Sequence, residues 1–145
     1  MAAAADALFL RVEQSFLRQG LMQHLGAELL SVKPGAVALR LPHSERVTQQ
    51  QGGFHGGAIG ALADIAGGYA ALTVAEEGCE VTTVEYKINF LASFTGGTLE
   101  ARGRVLRAGQ RIIVTAAEVL HLDEQGRESP CAVMQQTIAP VPRRY

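Results

Sequence analysis

Asp64 stands inside the longest apolar segment of the chain and is the residue best suited to chemistry. No Lys or Arg occurs between residues 47 and 86, and the positions three and four residues away are small: Gly60, Ala61, Gly67 and Gly68. Burying a carboxylate without a cation costs free energy, and proteins keep such groups mainly at functional sites. We therefore expect Asp64 to be a functional residue. A solvent-facing Asp, or one held by backbone N–H groups, is the structural alternative.

His55-Gly56-Gly57 precedes this segment and supplies a second group suited to chemistry. Two glycines where a loop enters a helix leave backbone N–H groups approachable, at the end of the helix that carries partial positive charge. Such donors stabilise the negative charge that forms on a carbonyl oxygen under attack. We expect the Gly57 N–H to be this oxyanion donor, and His55 is a candidate for direct proton transfer. Glycines that only permit a tight turn and close packing are the alternative.

The spacing of Gly57 and Asp64 predicts a dimer. Seven residues are nearly two helical turns, which places both groups on one face but about 10 Å apart along the axis. A carboxylate and an oxyanion donor that serve one carbonyl carbon must both lie within about 3–4 Å of the reacting atoms. Two antiparallel copies of the helix meet this condition, because Gly57 of one copy then faces Asp64 of the other.

The apolar pattern around these groups predicts two helices and six strands. Helical spacing covers 3–18 and 58–76, and the second helix is apolar on nearly every face. Strands joined by short turns form antiparallel sheets, so we predict an α+β fold in one domain, 1–145, whose sheet covers the apolar helix. The predicted strands span 27–32, 36–41, 81–91, 98–106, 112–122 and 132–139.

Composition and charge argue against several classes of function. The 145 residues are 48% hydrophobic and 19% charged with a net charge of −1, which is typical of a globular domain and does not favour nucleic-acid binding. The apolar stretch 56–75 contains Asp64 and several glycines, so we expect no membrane association. Cys79 and Cys131 form no CxxC motif and no basic leader precedes Asp6, which together favour a cytoplasmic location. No His, Cys and Glu spacing predicts a metal site.

The segment 51–91 resembles the hotdog-fold thioesterases of the phenylacetate-pathway (PaaI-like) group, relatives of 4-hydroxybenzoyl-CoA thioesterase. The matching residues are His55-Gly56-Gly57, Ala61-Leu62-Ala63-Asp64-Ile65-Ala66 and the strand Thr-Thr-Val-Glu-Tyr-Lys-Ile-Asn-Phe-Leu at 82–91. The resemblance implies a hotdog fold, an antiparallel sheet wrapped around one long central helix, here with an extra N-terminal helix. It also implies hydrolysis of acyl-CoA thioesters by a homodimer or homotetramer, with no cofactor because coenzyme A is part of the substrate.

The same resemblance assigns roles to individual residues. Asp64 corresponds to the general base or nucleophile, and Gly57 of the opposite subunit polarises the thioester carbonyl. Gln49 takes the place of an Asn that positions water or substrate in the family, unless a loop shift brings Gln50 there. Thr83 takes the place of a hydroxyl that assists the carboxylate, although an ordinary strand Thr is the alternative.

Substrate contacts are expected at two places. An apolar slot between subunits would hold the acyl group, and arginines around a hairpin turn would reach the phosphates of coenzyme A, unless that hairpin is only solvated. The residues expected at the substrate are Gly56, Leu62, Ile65, Tyr69 and Phe90 for the acyl end, with Arg107 and Arg111, from a group that includes Arg102 and Arg104, for the phosphates.

Two other functions fit the same fold. A hotdog hydratase or dehydratase would act on enoyl-CoA, but such enzymes use a His with an acid in a motif that this chain lacks. A non-catalytic acyl-CoA-binding or sensing module needs no buried carboxylate, so Asp64 favours an enzyme.

Overall fold

The computed structural model describes residues 1–145. Its helices are α1 (Ala2–Phe16), α2 (Gly20–Leu25) and α3 (Gly56–Leu72), and a short 3-10 helix spans Glu45–Val47. Its strands are β1 (Glu28–Lys33), β2 (Ala36–Pro42), β3 (Cys79–Phe90), β4 (Thr98–Ala108), β5 (Ile113–Leu122) and β6 (Glu128–Pro142).

All six strands form one antiparallel sheet in the order β1-β2-β4-β5-β6-β3. The chain between β2 and β3 carries α3 across one face of the sheet, where α3 contacts β2, β3, β4, β5 and β6. This confirms the predicted α+β hotdog arrangement, in which a sheet covers one apolar central helix. Because β3 pairs only with β6, it forms one edge of the sheet.

The observed elements differ from the sequence predictions most clearly at α2, α3 and β6. The segment after α1 forms the separate helix α2, whose six residues are too few to show a helical period. α3 ends at Leu72, and the Thr73 hydroxyl that follows donates to the Ala70 carbonyl at 2.6 Å and accepts the Gly35 N–H at 2.8 Å. β6 begins at Glu128, earlier than predicted. Pro130 interrupts the strand pattern in the sequence, but the sheet accommodates it at an irregularity of the β5–β6 pairing.

α3 lies very close to the sheet because the facing residues are small. A Cβ atom on Gly103 of β4 would overlap the Ala66 carbonyl group and lie 2.6 Å from the Gly67 nitrogen. The helix therefore packs on β4 through backbone contact, which only glycine permits. Leu62 and Ala66 have no exposed surface and belong to a buried cluster of 23 residues.

The N-terminal helices dock on the same core. Val12 and Phe16 of α1 and Met22 of α2 are buried. The Arg11 guanidinium donates to the carbonyl oxygens of Ala75 at 3.2 Å and Glu76 at 2.9 Å, just beyond the C-terminus of α3. These contacts hold α1 beside α3. None of the helices combines the length and apolar character required to cross a bilayer.

Candidate active site

Asp64 lies on α3 with a half-buried side chain that faces β3 and β6. Two neutral groups donate hydrogen bonds to Oδ1, the Thr83 hydroxyl at 2.6 Å and the Gln136 amide Nε2 at 2.6 Å. None of the ion pairs in the structure involves this carboxylate. Within the protomer, dipoles from two other strands therefore compensate the charge.

An irregularity in β3 brings Thr83 to Asp64. The pairing of β3 with β6 shifts by one residue between Thr83 and Glu85, as in a β-bulge. An extra residue reverses the alternation of side chains along a strand. Thr83 therefore faces α3 together with Tyr86 and Phe90, although strict alternation would place it on the opposite face.

Gln136 is a site residue that the sequence analysis missed. It lies on β6 with 1% of its surface exposed and contacts Asp64 across 72 positions of sequence. The sequence did contain one signal, because the inward positions of β6 are otherwise apolar, with Ala132, Met134 and Ile138 beside this single polar residue. Buried polar side chains normally have hydrogen-bond partners, and here the partner is the candidate catalytic carboxylate.

His55 caps the N-terminus of α3. Its Nδ1 accepts the Gly57 N–H at 2.7 Å, which requires an unprotonated Nδ1. The N–H groups of Ala58 and Ile59 both donate to the His55 carbonyl at 3.0 Å, whereas the Gly56 N–H donates to no protein group. The Gly57 N–H, the predicted oxyanion donor, is thus exposed but already paired within the protomer.

A narrow cleft beside Asp64, here called the acid cleft, lies between α1, α3 and β3. Gln19 Nε2 donates to the Tyr69 hydroxyl at 2.8 Å, and this hydroxyl donates to Ser15 Oγ at 3.1 Å. Burial raises the pKa of Tyr69 to about 12, so its hydroxyl stays neutral and polar at physiological pH. The cleft is lined by Ser15, Gln19, Asp64, Ile65, Gly68, Tyr69, Glu80, Val81 and Thr83.

A second cleft, here called the amide cleft, opens at the start of α3. The Phe90 ring lies 3.4 Å from the position of a Cβ on Gly56. Gln49 is half-buried and lines this cleft, whereas Gln50 is exposed and does not. The lining residues are Gln49, Phe54, Gly56, Ile59, Phe90, Leu91, Ala92 and Ser93.

The predicted slot residues do not come together in one protomer. Ile65 and Tyr69 line the acid cleft, and Phe90 lines the amide cleft. Leu62 has no exposed surface and packs in the core, which corrects its assignment to the slot. The reason is helical geometry, since residues two positions apart, such as Leu62 and Asp64, point about 200° apart around the axis.

Arg107 and Arg111 lie at the opposite end of α3 from Gly57. The turn 108–110 between them borders a cavity whose other wall includes residues 74–76, just beyond the C-terminus of the helix. Both arginines are exposed and form no ion pair, whereas Arg102 pairs with two glutamates at 2.8 and 2.6 Å. One protomer therefore does not bring these arginines to the start of its own α3.

The edge strand β3 exposes apolar side chains beside its unpaired backbone. Val84 is 61%, Tyr86 42% and Phe90 53% exposed. A long edge strand with an apolar surface normally pairs with another chain. The edge lies directly beside both clefts, because Thr83 borders the acid cleft and Phe90 borders the amide cleft.

The chain is similar in sequence and in structure to proteins described as thioesterases. Residues 51–127, more than half of the chain, match the family model described as the thioesterase superfamily. The structure of a thioesterase family protein from Silicibacter pomeroyi superposes with a TM-score of 0.89 and 34% identity, covering 94% of this chain and 99% of that one. The 1,4-dihydroxy-2-naphthoyl-CoA hydrolase of Listeria monocytogenes is 32% identical over 91 residues, 63% of this chain and 74% of the hydrolase. The E. coli PaaI protein, at 20% identity and a TM-score of 0.82 over 94% of this chain and 95% of that one, shares the fold.

Proposed function

The chain belongs to the thioesterase superfamily and is a thioester hydrolase, and from this premise we propose that it hydrolyses acyl-CoA thioesters at a site shared by two subunits. The observation that carries the proposal is the Asp64 carboxylate, which two neutral donors hold beside an open cleft without a cation. The Listeria relative, a hydrolase of 1,4-dihydroxy-2-naphthoyl-CoA, supports coenzyme A as the leaving group.

In the proposed mechanism Asp64 removes a proton from water, and the resulting hydroxide attacks the thioester carbonyl carbon. The oxyanion accepts the N–H of Gly57 from the partner subunit, replacing His55 Nδ1 as the acceptor. Collapse of the intermediate expels the thiolate of coenzyme A, which takes the proton from Asp64 and leaves the free acid. A thiol has a pKa of about 8–9, so the thiolate leaves without a strong acid, and the reaction uses no cofactor.

As a nucleophile, Asp64 would instead attack the carbonyl carbon itself and expel the thiolate. This route forms a mixed anhydride, which water then hydrolyses to the free acid and the regenerated carboxylate. Both routes need the carboxylate ionised and one oxygen open to the substrate.

The proposal requires at least a dimer. Asp64 and Gly57 lie on the same helix, about 10 Å apart along its axis, which is too far for one carbonyl group. Pairing of two β3 edges in an antiparallel dimer would bring the acid cleft of one subunit to the amide cleft of the other. Gln49 would then position water or substrate, and Arg107 and Arg111 would contact the phosphates of coenzyme A.

The test replaces Asp64 by Asn, which keeps the size of the side chain and removes its charge. Release of free thiol is measured with acetyl-, hexanoyl-, palmitoyl- and benzoyl-CoA, and binding of the best substrate is measured by calorimetry. We expect kcat to fall at least about 100-fold, the usual contribution of a general base, while binding persists. Asp6→Asn, an exposed carboxylate of α1, is the matched control and should retain full activity.

Two outcomes would contradict the proposal. Thiol release by Asp64→Asn at the wild-type rate would remove Asp64 from the mechanism. If the wild type consumed the double bond of crotonyl-CoA and released no thiol from any member of the panel, the chain would be a hydratase rather than an acyl-CoA thioesterase.

A further inference from the structure

Gln136 belongs to a buried polar row beneath α3. In the sheet it lies opposite Thr115 of β5 on one side and Tyr86 of β3 on the other. Its amide Nε2 lies 2.6 Å from Asp64 Oδ1, 3.3 Å from the Asp64 carbonyl oxygen and 3.4 Å from Thr83 Oγ1. The amide therefore contacts both the backbone and the side chain of the candidate catalytic residue.

The orientation of this amide is determined by its second partner. The Thr115 hydroxyl, which has no exposed surface, donates to Gln136 Oε1 at 2.8 Å. The reverse orientation would place the amide oxygen against the Asp64 carboxylate, where two acceptors repel each other. Gly67 provides the space, because a Cβ atom there would overlap Gln136 Oε1 and lie 2.7 Å from Thr115 Oγ1.

The two hydrogen bonds to the carboxylate fall on the same oxygen. Thr83 and Gln136 both donate to Asp64 Oδ1, and no protein group donates to Oδ2. We infer that Gln136 is a positioning residue that, together with Thr83, holds Oδ1 and leaves Oδ2 as the oxygen that reacts. This inference rests on the proposed function, in which Asp64 takes a proton from water or attacks the thioester.

The arrangement has a consequence for the pH dependence of the reaction. Two neutral donors stabilise the ionised form of a carboxylate, so removing one extends the protonated form to higher pH. The other titratable residues that line the acid cleft are Tyr69 of α3 and Glu80 of β3, while Ser15 of α1 and Gln19, just before α2, are neutral. β5 and β6 present only neutral groups, those of Thr115 and Gln136, and the Tyr86 hydroxyl of β3 lies over Gly60, one turn before Asp64.

The experiment compares Gln136→Met and Gln136→Glu with the same changes at Gln135, which points to solvent on the other face of β6. The pH profile of kcat and the KM are measured with the acyl-CoA that the wild type hydrolyses fastest, after circular dichroism and thermal unfolding confirm the fold. Gln136→Met should lower kcat about 10- to 100-fold, the range for a lost hydrogen bond to a charged group, with little change in KM. The acidic limb of the kcat–pH profile of this variant should move to higher pH.

Gln136→Glu keeps the shape of the side chain and places a second carboxyl beside Asp64. Two carboxyls that share a site titrate as a pair and retain one proton to higher pH, so the pH profile of kcat in this variant should differ from that of the wild type. The Gln135 variants should match the wild type.

The outcomes separate this inference from the proposed function. If folded Gln136→Glu and Gln136→Met keep the wild-type pH profile, the positioning role is wrong, even when kcat falls. If Asp64→Asn is active, the proposed function fails whatever the Gln136 variants do. If Gln136→Met does not fold, the pH profile of the isosteric Gln136→Glu alone tests the positioning role.

Discussion

At the scale of single residues, the site combines one charged group with neutral donors. Asp64 receives two hydrogen bonds at Oδ1. The start of α3 presents two N–H groups, of which only one is hydrogen-bonded within the protomer. The Gly57 N–H is paired with His55 Nδ1, while the Gly56 N–H has no protein partner. In the proposed mechanism, an oxyanion would replace the His55 imidazole as the acceptor of the Gly57 N–H.

Proline substitutions distinguish the two N–H groups, because proline has none. Gly57→Pro should lower kcat at least about 100-fold, the usual cost of losing an oxyanion donor. Gly56→Pro should change kcat little, since proline is favoured at the first helical position and the extended His55 (φ −68°, ψ 135°) suits a residue before proline. Steady-state thiol release and thermal unfolding provide the measurements. The reverse ranking would assign the oxyanion to the Gly56 N–H instead.

At the scale of elements, the contact between α3 and β4 sets the position of Asp64. Gly103 lies directly against the backbone of α3 at Ala66, so no side chain separates the helix from the strand. The same close approach holds Asp64 within reach of Gln136 on β6. A change that lifts the helix would therefore weaken both the core and the site.

Gly103→Ala should destabilise the protein, because its Cβ would overlap the Ala66 carbonyl and rigid backbone cannot yield as a side chain does. Overpacking of this kind lowers the free energy of unfolding by about 1–3 kcal/mol, which urea denaturation measures. Gly20→Ala is the matched control, since Gly20 begins α2 and no atom lies within 4 Å of its Cβ position. An unfolding midpoint for Gly103→Ala equal to that of Gly20→Ala would contradict this account.

At the scale of the whole molecule, the unpaired β3 edge and the two separate clefts favour a shared site. Val84, Tyr86 and Phe90 give the edge an apolar surface that a second chain would bury. Neither cleft alone contains both the carboxylate and the helix N-terminus.

Mixing two inactive variants tests whether the site is shared. Asp64→Asn and Gly57→Pro are unfolded together and refolded, so that hybrid dimers form. In a shared-site dimer one of the two hybrid sites carries neither change, and the mixture should recover about a quarter of wild-type activity. Gel filtration verifies the dimer, and each variant refolded alone is the control. A dimeric mixture without recovered activity would place each site within one subunit.

The sequence alone determined the features that depend on local pattern. Helical periodicity located the apolar helix with Asp64, alternation located the six strands, and His55-Gly56-Gly57 marked the start of α3. These signals lie within short windows, where backbone geometry relates spacing directly to a face or a turn. The resemblance to hotdog thioesterases rests on the same windows and is confirmed by the family match.

Only the tertiary structure decided the contacts that depend on strand register. The irregularity in β3 turns Thr83 towards Asp64, and the β5–β6–β3 pairing brings Gln136 there from 72 positions away. Leu62 faces the core because tertiary packing determines which side of α3 meets the sheet. Register and docking arise from contacts between distant segments, which no local spacing in the sequence specifies.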